Sequence, residues 1–472
     1  MKKTSLLVLI GLTVAMSPLL AQTKRPAVIA YFMGDSTAAS RLPAEKLTHI
    51  IFSFGHLDGD SFKVSRKGAP AIFQELVSLR SRNPDLKIQV ALGGWGGCMT
   101  CSEVFATEKG RWDFVRSVHN LCRRYDLDGI DVDWEYPAIE GYPGHPFSKS
   151  DRQNFTDLLR LLRNELGPKA EISFAAAGFK SFVDSSVDWK AVEPLVDRVN
   201  LMTYDLVTEG APITGHHTAL YSSPMQERSS RSALDLLQSI GFPMSKIVLG
   251  CAFYARSFDQ VPDQNHGLYQ PGKFKAFIPY RELVKLQASN NAIKAFRDPD
   301  AHAPYLYNAV THTYYTYDDP ASIQEKTKYV IDHGLNGIMF WEITLDQPEG
   351  GLLDAIDRTI SAQAQNQIRQ YWFVLLTAGP HRDQDKATAA KIQEGHLANI
   401  RRLYSEGLLK VAGPFGEDGN WQGIFIFDYP DKAGLEKILQ TDPAIAAGRL
   451  NYEIRSWYTA STGSFKPGKP GN

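Results

Sequence analysis

The chain has 472 residues, and its 51 Lys and Arg residues nearly balance 52 Asp and Glu residues, which leaves a formal net charge of −1. At about 150 residues per domain, this length predicts two or three domains. A content of 43% hydrophobic and 22% charged residues is that of a globular protein rather than a disordered or fibrous one. Because the balanced charge provides no broad basic surface, it argues against nucleic acid as the main partner.

The N-terminus carries the one continuous apolar run of the sequence. Two lysines precede residues 5–16, which are apolar or small, and Pro18 and Ala21 follow them. The run is shorter than the ~20 residues that cross a bilayer, and its flanks are typical of a secretory signal peptide. We therefore predict a signal peptide at residues 1–21 and a secreted mature chain, extracellular or periplasmic, with no membrane span. An uncleaved anchor is the alternative.

The chain has four cysteines. Disulfides persist in exported proteins, and Cys98 and Cys101 form an isolated C-x-x-C pair in a Gly-rich loop. Because no second such pair and no neighbouring pair of histidines accompanies them, a local disulfide is preferred to a zinc site. Cys122 and Cys251 lie in apolar segments and are expected to be small buried hydrophobes. We predict no metal site.

From residue 26 onward, apolar segments typical of strands alternate with amphipathic segments typical of helices. Eight strands are predicted, at residues 27–32, 49–54, 87–93, 129–135, 171–177, 198–204, 246–252 and 337–341. Helices are predicted between them, among others at residues 70–80, 108–125, 150–166 and 232–240. Alternation favours parallel pairing, and nearly all-apolar strands indicate burial on both faces. The predicted fold is therefore α/β, a (β/α)8 TIM barrel over residues 25–362, with an open doubly wound sheet as the alternative.

The stretch between the seventh and eighth predicted strands is too long for a single helix. Residues 305–307 and 312–317 look like strands and residues 279–286 look helical, so we predict a small α+β insertion at about residues 259–319, rising above the C-terminal face of the barrel. A Gln- and Ala-rich segment, residues 363–370, predicts a linker, and the tail at residues 459–472 is expected to be flexible. Between them, residues 371–458 predict a second, α+β domain.

That second domain has its own alternating pattern. Strands are predicted at residues 371–376, 408–412, 423–427 and 450–456, and helices at residues 388–406 and 432–439.

The most informative segment ends the fourth predicted strand, and it reads Asp128-Gly129-Ile130-Asp131-Val132-Asp133-Trp134-Glu135-Tyr136-Pro137. Because strand side chains alternate between faces, Asp131, Asp133 and Glu135 share one face, ~7 Å apart, and point into the barrel mouth. Crowded carboxylates in a low-dielectric cleft share a proton, and one pKa is raised. Glu135, the outermost, is then placed to act as an acid. A cation site and a solvated acidic edge are the alternatives, and Asp128 is expected to serve a structural role.

This segment resembles the signature of glycoside hydrolase family 18 chitinases, and the resemblance extends over about residues 26–360. Its further features lie at the C-terminal ends of predicted strands, and they are Leu92-Gly93-Gly94-Trp95, Met202-Thr203-Tyr204-Asp205, Tyr254-Ala255-Arg256 and Trp341. A (β/α)8 enzyme builds its active site at these strand ends, so the fold prediction and the resemblance agree.

The resemblance implies a role for each matching residue. Glu135 would donate a proton to the glycosidic oxygen, and Asp133 would bind the substrate's N-acetyl group, whose oxygen is the nucleophile. Tyr204 would hydrogen-bond that group. Further substrate or site contacts are implied for Asp205, Met202, Trp341 as the floor of a sugar subsite, Trp95, Arg256, and Tyr31, which in many members helps hold the acid at the position of Asp131. Core packing is the alternative for Trp341, and packing or a local ion pair is the alternative for Trp95 and Arg256. Ala91 departs from the family, since many relatives have a serine there that binds this acid.

The function that the resemblance implies is a secreted chitinase. It would bind chitin or N-acetylglucosamine oligosaccharides and need no cofactor. An endo-β-N-acetylglucosaminidase acting on N-glycans and a non-hydrolytic chitin-binding protein are the alternatives. Non-hydrolytic members commonly lack the terminal acid, and this chain has Glu135, which favours an enzyme.

The C-terminal domain resembles the YCII-related family over about residues 371–458. The matching features are Gly379-Pro380, His396-Leu397, Gly407, Leu409, Gly413-Pro414-Phe415, Asp442-Pro443, Gly448, Glu453 and Trp457. The resemblance implies a ferredoxin-like α+β domain that forms a homodimer, with His396 and Asp442 as a polar pair in a cleft. A histidine that simply bonds to a neighbour is the alternative to a catalytic pair, and we interpret the domain as a dimerisation or docking module.

Overall fold

The computed structural model describes residues 25–366, 368–416 and 419–460. The chain divides into two compact units, with the boundary between Asp357 and Arg358. The predicted signal peptide at residues 1–21 and residues 461–472 of the predicted tail lie outside the described residues. Within the described ranges, no helix has both the length and the apolar character that crossing a membrane requires.

Fourteen strands occur in the described part of the first unit, residues 25–357. They are β1 (Ala27–Phe32), β2 (His49–Asp58), β3 (Ser61–Lys63), β4 (Lys87–Gly93), β5 (Gly129–Asp133), β6 (Glu171–Ala177), β7 (Arg198–Met202), β8 (Ile247–Ala252), β9 (Tyr254–Asp259), β10 (Lys273–Pro279), β11 (Ile293–Arg297), β12 (Pro304–Asn308), β13 (Thr313–Thr316) and β14 (Gly337–Trp341).

The helices up to residue 366 run between and after these strands. They are α1 (Ser36–Ser40), α2 (Ala69–Ser78), α3 (Cys101–Phe105), α4 (Glu108–Tyr125), α5 (Asp151–Leu166), α6 (Lys180–Ser185), α7 (Trp189–Val192), α8 (Ser230–Ser239), α9 (Tyr280–Ser289), α10 (Pro320–Asp332) and α11 (Leu352–Asn366).

Eight parallel strands close into a barrel. The pairing runs β1–β2–β4–β5–β6–β7–β8–β14, and β14 returns to pair with β1. The strands lie where the sequence pattern predicts them, which confirms the (β/α)8 barrel and excludes the open sheet. Their side chains are buried almost throughout, because the barrel interior covers one face and the helices cover the other.

Local sequence signals set where several helices begin. The side chain of Thr107 accepts a hydrogen bond from the backbone N–H of Gly110 at the start of α4. At the start of α10, Asp319 and Ser322 form a capping box around Pro320 at the first turn. Each cap satisfies backbone donors that an α-helix leaves unpaired at its N-terminus.

An antiparallel lobe is inserted between β8 and β14. Its five strands pair in the order β10–β9–β13–β12–β11, and its apolar core includes Phe258, Leu268, Tyr305 and Tyr314. A single residue, Phe253, separates the end of β8 from the start of β9 at Tyr254, so the lobe leaves the barrel at the C-terminal end of β8. This is the α+β insertion that the sequence predicts, and its first strand lies directly at the barrel mouth.

The second unit, where it is described, forms a four-stranded antiparallel sheet with helices. Its elements are β15 (Ile368–Ala378), α12 (Lys386–Ser405), β16 (Leu409–Pro414), β17 (Trp421–Phe427), α13 (Lys432–Leu439), α14 (Pro443–Ala446) and β18 (Leu450–Ala460). The strand order is β16–β17–β15–β18. This order, with one helix before β16 and others before β18, is that of a ferredoxin-like fold, as predicted.

The two faces of this sheet differ. Val374, Leu376 and Phe425 point into a core with Leu403 of α12 and Leu435 of α13. Because strand residues alternate, the residues between them lie on the opposite face. That open face carries the partly exposed apolar side chains of Phe373, Leu375, Val411, Ile424 and Ile426.

The segment predicted as a linker, residues 363–370, has regular structure wherever it is described. Helix α11 continues to Asn366 and β15 begins at Ile368, and residue 367 lies outside the described residues. Alanine and glutamine are good helix formers, so the composition that suggested a linker also favours extension of the helix.

Candidate active site

Three acidic side chains stand at the C-terminal end of β5. Asp131 is fully buried, Asp133 is 5% exposed and Glu135 is 9% exposed. The intervening Trp134 points away from the barrel interior and packs against Phe105 of α3, with ring centroids 5.5 Å apart. Strand pairing of β5 ends at Asp133, so Glu135 lies just beyond the sheet, in the barrel mouth.

Asp128 lies at the opposite end of the strand and has a structural environment. Its Oδ2 accepts hydrogen bonds from Arg80 at 2.6 Å and from the backbone N–H of Ile88 at 2.7 Å. These bonds tie the start of β5 to the turn that follows α2 and to β4, at the opposite end of the strand from Glu135.

Asp131, the innermost acid, is held by three donors. Tyr31 donates to Oδ2 at 2.7 Å, and Ser173 at 2.7 Å and Asn200 at 3.0 Å donate to Oδ1. Burial raises the pKa of Asp131, while these hydrogen bonds oppose the rise by favouring the carboxylate. Ala91 packs beside them in the barrel interior without a polar group.

Asp133 and Glu135 differ from Asp131 because they have fewer donors. Burial, with the charges of Glu135 and Asp131, raises the pKa of Asp133 well above its usual range, and its buried Oδ1 has no hydrogen-bond partner among the described residues. Burial raises the pKa of Glu135 to about 7, and the charge of Asp205 adds to the rise against a hydrogen bond from Tyr136. The pair therefore retains a proton near neutral pH.

Asp205 stays ionised beside these acids. Tyr254 donates to its Oδ1 at 2.7 Å and Arg256 at 2.6 Å, and Nδ1 of the buried His217 lies 3.5 Å away. Burial alone would raise the pKa of Asp205, but the nearby His217 and the hydrogen bond and charge of Arg256 lower it far below its usual range. Tyr254 and Arg256 belong to β9, so the inserted lobe supports this part of the site.

The remaining predicted residues line the barrel mouth. Trp341 ends β14, and its ring stacks on Phe54 with centroids 5.4 Å apart and lies 5.7 Å from the ring of Tyr31. Met202 and Tyr204 pack with Trp341 against the apolar side of the barrel interior. Burial and the charges of Asp133, Glu135 and Asp205 raise the pKa of Tyr204 well above its usual range, so its hydroxyl remains a donor.

Trp95 is the most exposed predicted residue. It follows β4, 57% of its surface is accessible, and its ring lies 5.7 Å from Tyr142 and 6.4 Å from Tyr136. Both tyrosines belong to the loop after β5, so two loops form one aromatic wall beside Glu135.

The loop after β4 and the loop after β5 are joined by contacts among five residues. We call this junction the loop clamp, and it consists of Cys98, Cys101, Ser102, His145 and Asp151. Cys98 and Cys101 form a disulfide with Cα atoms 5.2 Å apart. Nε2 of His145 hydrogen-bonds to the carbonyl oxygen of Cys98 at 2.9 Å, and Ser102 donates to Asp151 at 2.8 Å.

Cys122 and Cys251 are free and buried. No cluster of metal-ligating side chains occurs in the part of the chain that the structure describes.

His396 and Asp442 meet in the C-terminal unit. Nδ1 of His396 lies 2.9 Å from both carboxylate oxygens of Asp442, and Asn399 donates to the same carboxylate at 3.0 Å. Asp442 also caps α14 through the backbone N–H of Ala444. This pair has the contacts of a helix-capping group, and it lies in the second unit, whereas the acids of β5 belong to the first.

The sequence alone assigned no role to several residues that complete the site, although Tyr254 belongs to a motif already noted. Ser173 and Asn200 bind Asp131, Tyr254 and His217 surround Asp205, and Phe54 supports Trp341. A signal existed for the first two, because each is a polar residue within an otherwise apolar barrel strand. No comparable signal marks His217, which reaches the site through a long loop after β7.

Comparison with known proteins matches this geometry to a family. Residues 27–346 match the description of Glycosyl hydrolases family 18, and residues 372–458 match that of the YCII-related domain. The first match covers more than half of the chain. The chain therefore belongs to glycosyl hydrolase family 18, and it is a glycoside hydrolase.

Individual relatives agree with this membership. Chitinase A1 of Niallia circulans is 29% identical over 60% of this chain and 46% of its own length, so this chain matches about half of that relative. Chitinase B of Serratia marcescens is 28% identical over 68% of this chain and 77% of its own. The solved family 18 N-acetylglucosaminidase of Paenibacillus barengoltzii superposes with a TM-score of 0.64 and 34% identity, covering 71% of this chain and 99% of that one.

Proposed function

We propose that this glycoside hydrolase is a secreted chitinase that cleaves β-1,4 linkages between N-acetylglucosamine units of chitin or chitooligosaccharides. The observation that carries the proposal is the pair at the end of β5, in which Glu135 has a pKa near 7 beside an Asp133 whose Oδ1 has no partner among the described residues. The chitinases among its relatives support the choice of substrate. The apolar N-terminal run supports export.

Glu135 supplies the acid in this mechanism. Its raised pKa keeps the carboxyl protonated near neutral pH, and its position beyond the end of β5 brings it to a glycosidic oxygen in the barrel mouth. Proton transfer to that oxygen accompanies cleavage of the bond to the anomeric carbon, so the leaving sugar departs as a neutral alcohol.

The nucleophile is the acetamido oxygen of the sugar whose bond is cleaved. It attacks the anomeric carbon and forms a cyclic oxazolinium ion. Asp133 accepts the amide N–H through its free Oδ1 and stabilises the positive charge, and the hydroxyl of Tyr204 donates to the acetamido oxygen. Water then opens the ring as Glu135, now ionised, takes up its proton, and the anomeric configuration is retained.

Two tryptophans are assigned to neighbouring sugars. Trp341 lies at the base of the mouth on Phe54 and Tyr31, and its indole face suits the C–H face of the pyranose that is attacked. Trp95 stands on the Glu135 side in the exposed aromatic wall, where it would contact the leaving sugar. Arg256 acts by holding Asp205.

Replacement of the acid tests the proposal. Glu135→Gln keeps the shape of the side chain but removes the transferable proton, so turnover of chitooligosaccharides should fall by about 10²–10⁴-fold while binding persists. Asp133→Asn should also lower turnover sharply. Early products of the wild-type enzyme, analysed by NMR, should have the β-anomeric configuration. Full activity of Glu135→Gln, or an inverted early product, would refute the mechanism.

A second candidate activity is release of single N-acetylglucosamine units. It is favoured by the 34% identity to an N-acetylglucosaminidase across 99% of that protein. Product analysis on chitohexaose separates the two, because a chitinase releases oligomers and the second activity releases monomer from the start. Assays on a high-mannose glycoprotein test the endo-β-N-acetylglucosaminidase alternative, and binding of chitin without any turnover would indicate a chitin-binding protein.

We also propose that the C-terminal unit joins two copies of the chain. The open face of its sheet presents contiguous apolar side chains, which soluble monomers rarely expose. Glu453 and Arg455 lie on the same face of β18 as neighbours in the strand. A copy related by a two-fold axis would bring opposite charges together at that edge.

A further inference from the structure

Asp131 has two neighbours in register on the adjacent barrel strands. Ala91 of β4 pairs with it on one side and Ser173 of β6 on the other. The methyl group of Ala91 offers no hydrogen bond, whereas the hydroxyl of Ser173 lies 2.7 Å from Oδ1 of Asp131. A side-chain donor to Asp131 is thus absent at Ala91 of β4 and present at Ser173 of β6.

A second residue fixes the direction of that hydroxyl. Nε2 of Gln89 lies within hydrogen-bond distance of Oγ of Ser173 at 3.2 Å and of the carbonyl oxygens of Ile130 at 3.1 Å and Glu171 at 3.2 Å, and its two hydrogens are shared among these acceptors. A serine hydroxyl has a single hydrogen. Because its oxygen already accepts from Gln89, that hydrogen is directed to Asp131, and both Gln89 and Ser173 are fully buried.

We propose that Ser173, oriented by Gln89, is a positioning residue that sets the proton affinity of Asp131 and, through it, of the Asp131–Asp133 pair. This inference rests on the proposed function, in which Asp133, whose pKa the charge of Asp131 raises, stabilises the oxazolinium ion. Ser173 favours the ionised pair by donating to it, and so extends activity to lower pH.

Other groups also face Asp131. Tyr31 from β1 and Asn200 from β7 donate to it, Arg198 from β7 contributes a favourable charge, and the charge of Asp131 in turn raises the pKa of Asp133. Tyr204 lies close enough for the charge of Asp131 to raise its pKa. A substitution at Ser173 leaves all of these groups in the chain. A shift of the acid limb in that variant therefore measures the contribution of the Ser173 hydroxyl.

The experiment measures kcat/KM against pH with an aryl glycoside of chitobiose. In Ser173→Ala, loss of a donor to a carboxylate should move the acid limb of the profile upward by about one pH unit and leave the basic limb, which Glu135 sets, unchanged. In Ala91→Ser/Ser173→Ala, a hydroxyl returns on the other neighbouring strand, and the acid limb should move back. A purely structural serine would change activity equally at all pH values.

Two controls make the result decisive. Ser186 has a buried hydroxyl without a partner in the described part of the chain, and Ser186→Ala should leave both limbs in place. If Ser173→Ala folds poorly, Ser173→Thr keeps the hydroxyl and should keep the wild-type limb. If the acid limb of Ser173→Ala does not shift while Glu135→Gln is inactive, the role of Ser173 is refuted and the proposed function stands. An active Glu135→Gln overturns the proposed function.

Discussion

Two carboxyl groups at the barrel mouth have opposite protonation because their partners differ. Glu135 is buried with one tyrosine donor, and its pKa rises to about 7. Asp205 keeps 35% of its side chain accessible. It accepts hydrogen bonds from Tyr254 and Arg256 and lies near His217, and its pKa falls. Hydrogen bonds and charge, rather than burial alone, decide which group carries the proton.

Activity should fall on the alkaline side as Glu135 loses its proton, with a midpoint near pH 7. Asp205→Asn should move that midpoint down by about one unit, because the charge that raises the pKa of Glu135 is removed while Arg256 remains. The pH dependence of kcat/KM on chitotriose measures the shift. Asp235→Asn, on the exposed surface of α8, is the control, and an unchanged midpoint in Asp205→Asn would contradict the coupling.

At the residue level, the acids could be assigned from sequence because strand alternation dictates which of them share a face. Their partners could not be assigned in the same way. Ser173 and Asn200 reach Asp131 only because β6 and β7 have a particular register relative to β5. Register depends on closure of the whole barrel, so it cannot be predicted from the sequence of a single strand.

At the level of elements, the barrel strands were predictable because buried parallel strands have a distinctive composition. Four of the eight have the bounds that the pattern predicts. The lobe was harder to delimit, since β9 follows β8 after a single residue and its apolar pattern merges with that of the barrel strand. The helical continuation to Asn366 was missed because its composition is equally typical of a linker.

The loop clamp predicts a specific defect when it is opened. In Cys98→Ser/Cys101→Ser, the closed loop is short, so the free energy of unfolding should fall by only about 2 kcal/mol. Without the disulfide, the loop that carries Trp95 is no longer held in place beside Tyr142. KM for chitohexaose, which reaches this wall, should therefore rise, while KM for an aryl chitobioside stays nearly constant. Calorimetry and steady-state kinetics measure both effects.

Cys122→Ala is the matched control for the loop clamp, because that thiol is buried and takes no part in a disulfide. It should leave the ratio of the two KM values unchanged. An equal rise of KM for both substrates in the double serine variant would show that the clamp supports the whole site rather than the aromatic wall.

At the scale of the whole molecule, the open sheet face predicts the oligomeric state. The full-length chain should behave as a dimer in light scattering coupled to size-exclusion chromatography. Phe373→Lys places a charge in the centre of that face and should yield monomers with unchanged kcat on chitotriose, because the proposed catalytic residues all belong to the first unit.

Lys391→Glu is the control for the dimer prediction, since this exposed residue lies on α12, a helix that packs on the other face of the sheet. It should remain dimeric. A wild-type chain that is monomeric at all concentrations would contradict the assignment of this face to a second copy.

The attachment of β9 limits how this enzyme could be redesigned. A shortened variant made to admit bulky or crosslinked glycans would naturally discard the lobe as an accessory. Yet its first strand carries Tyr254 and Arg256, which keep Asp205 ionised. Trimming should therefore stop at the outer hairpin of β11 and β12, because removal of β9 would take away the two side chains that hold Asp205.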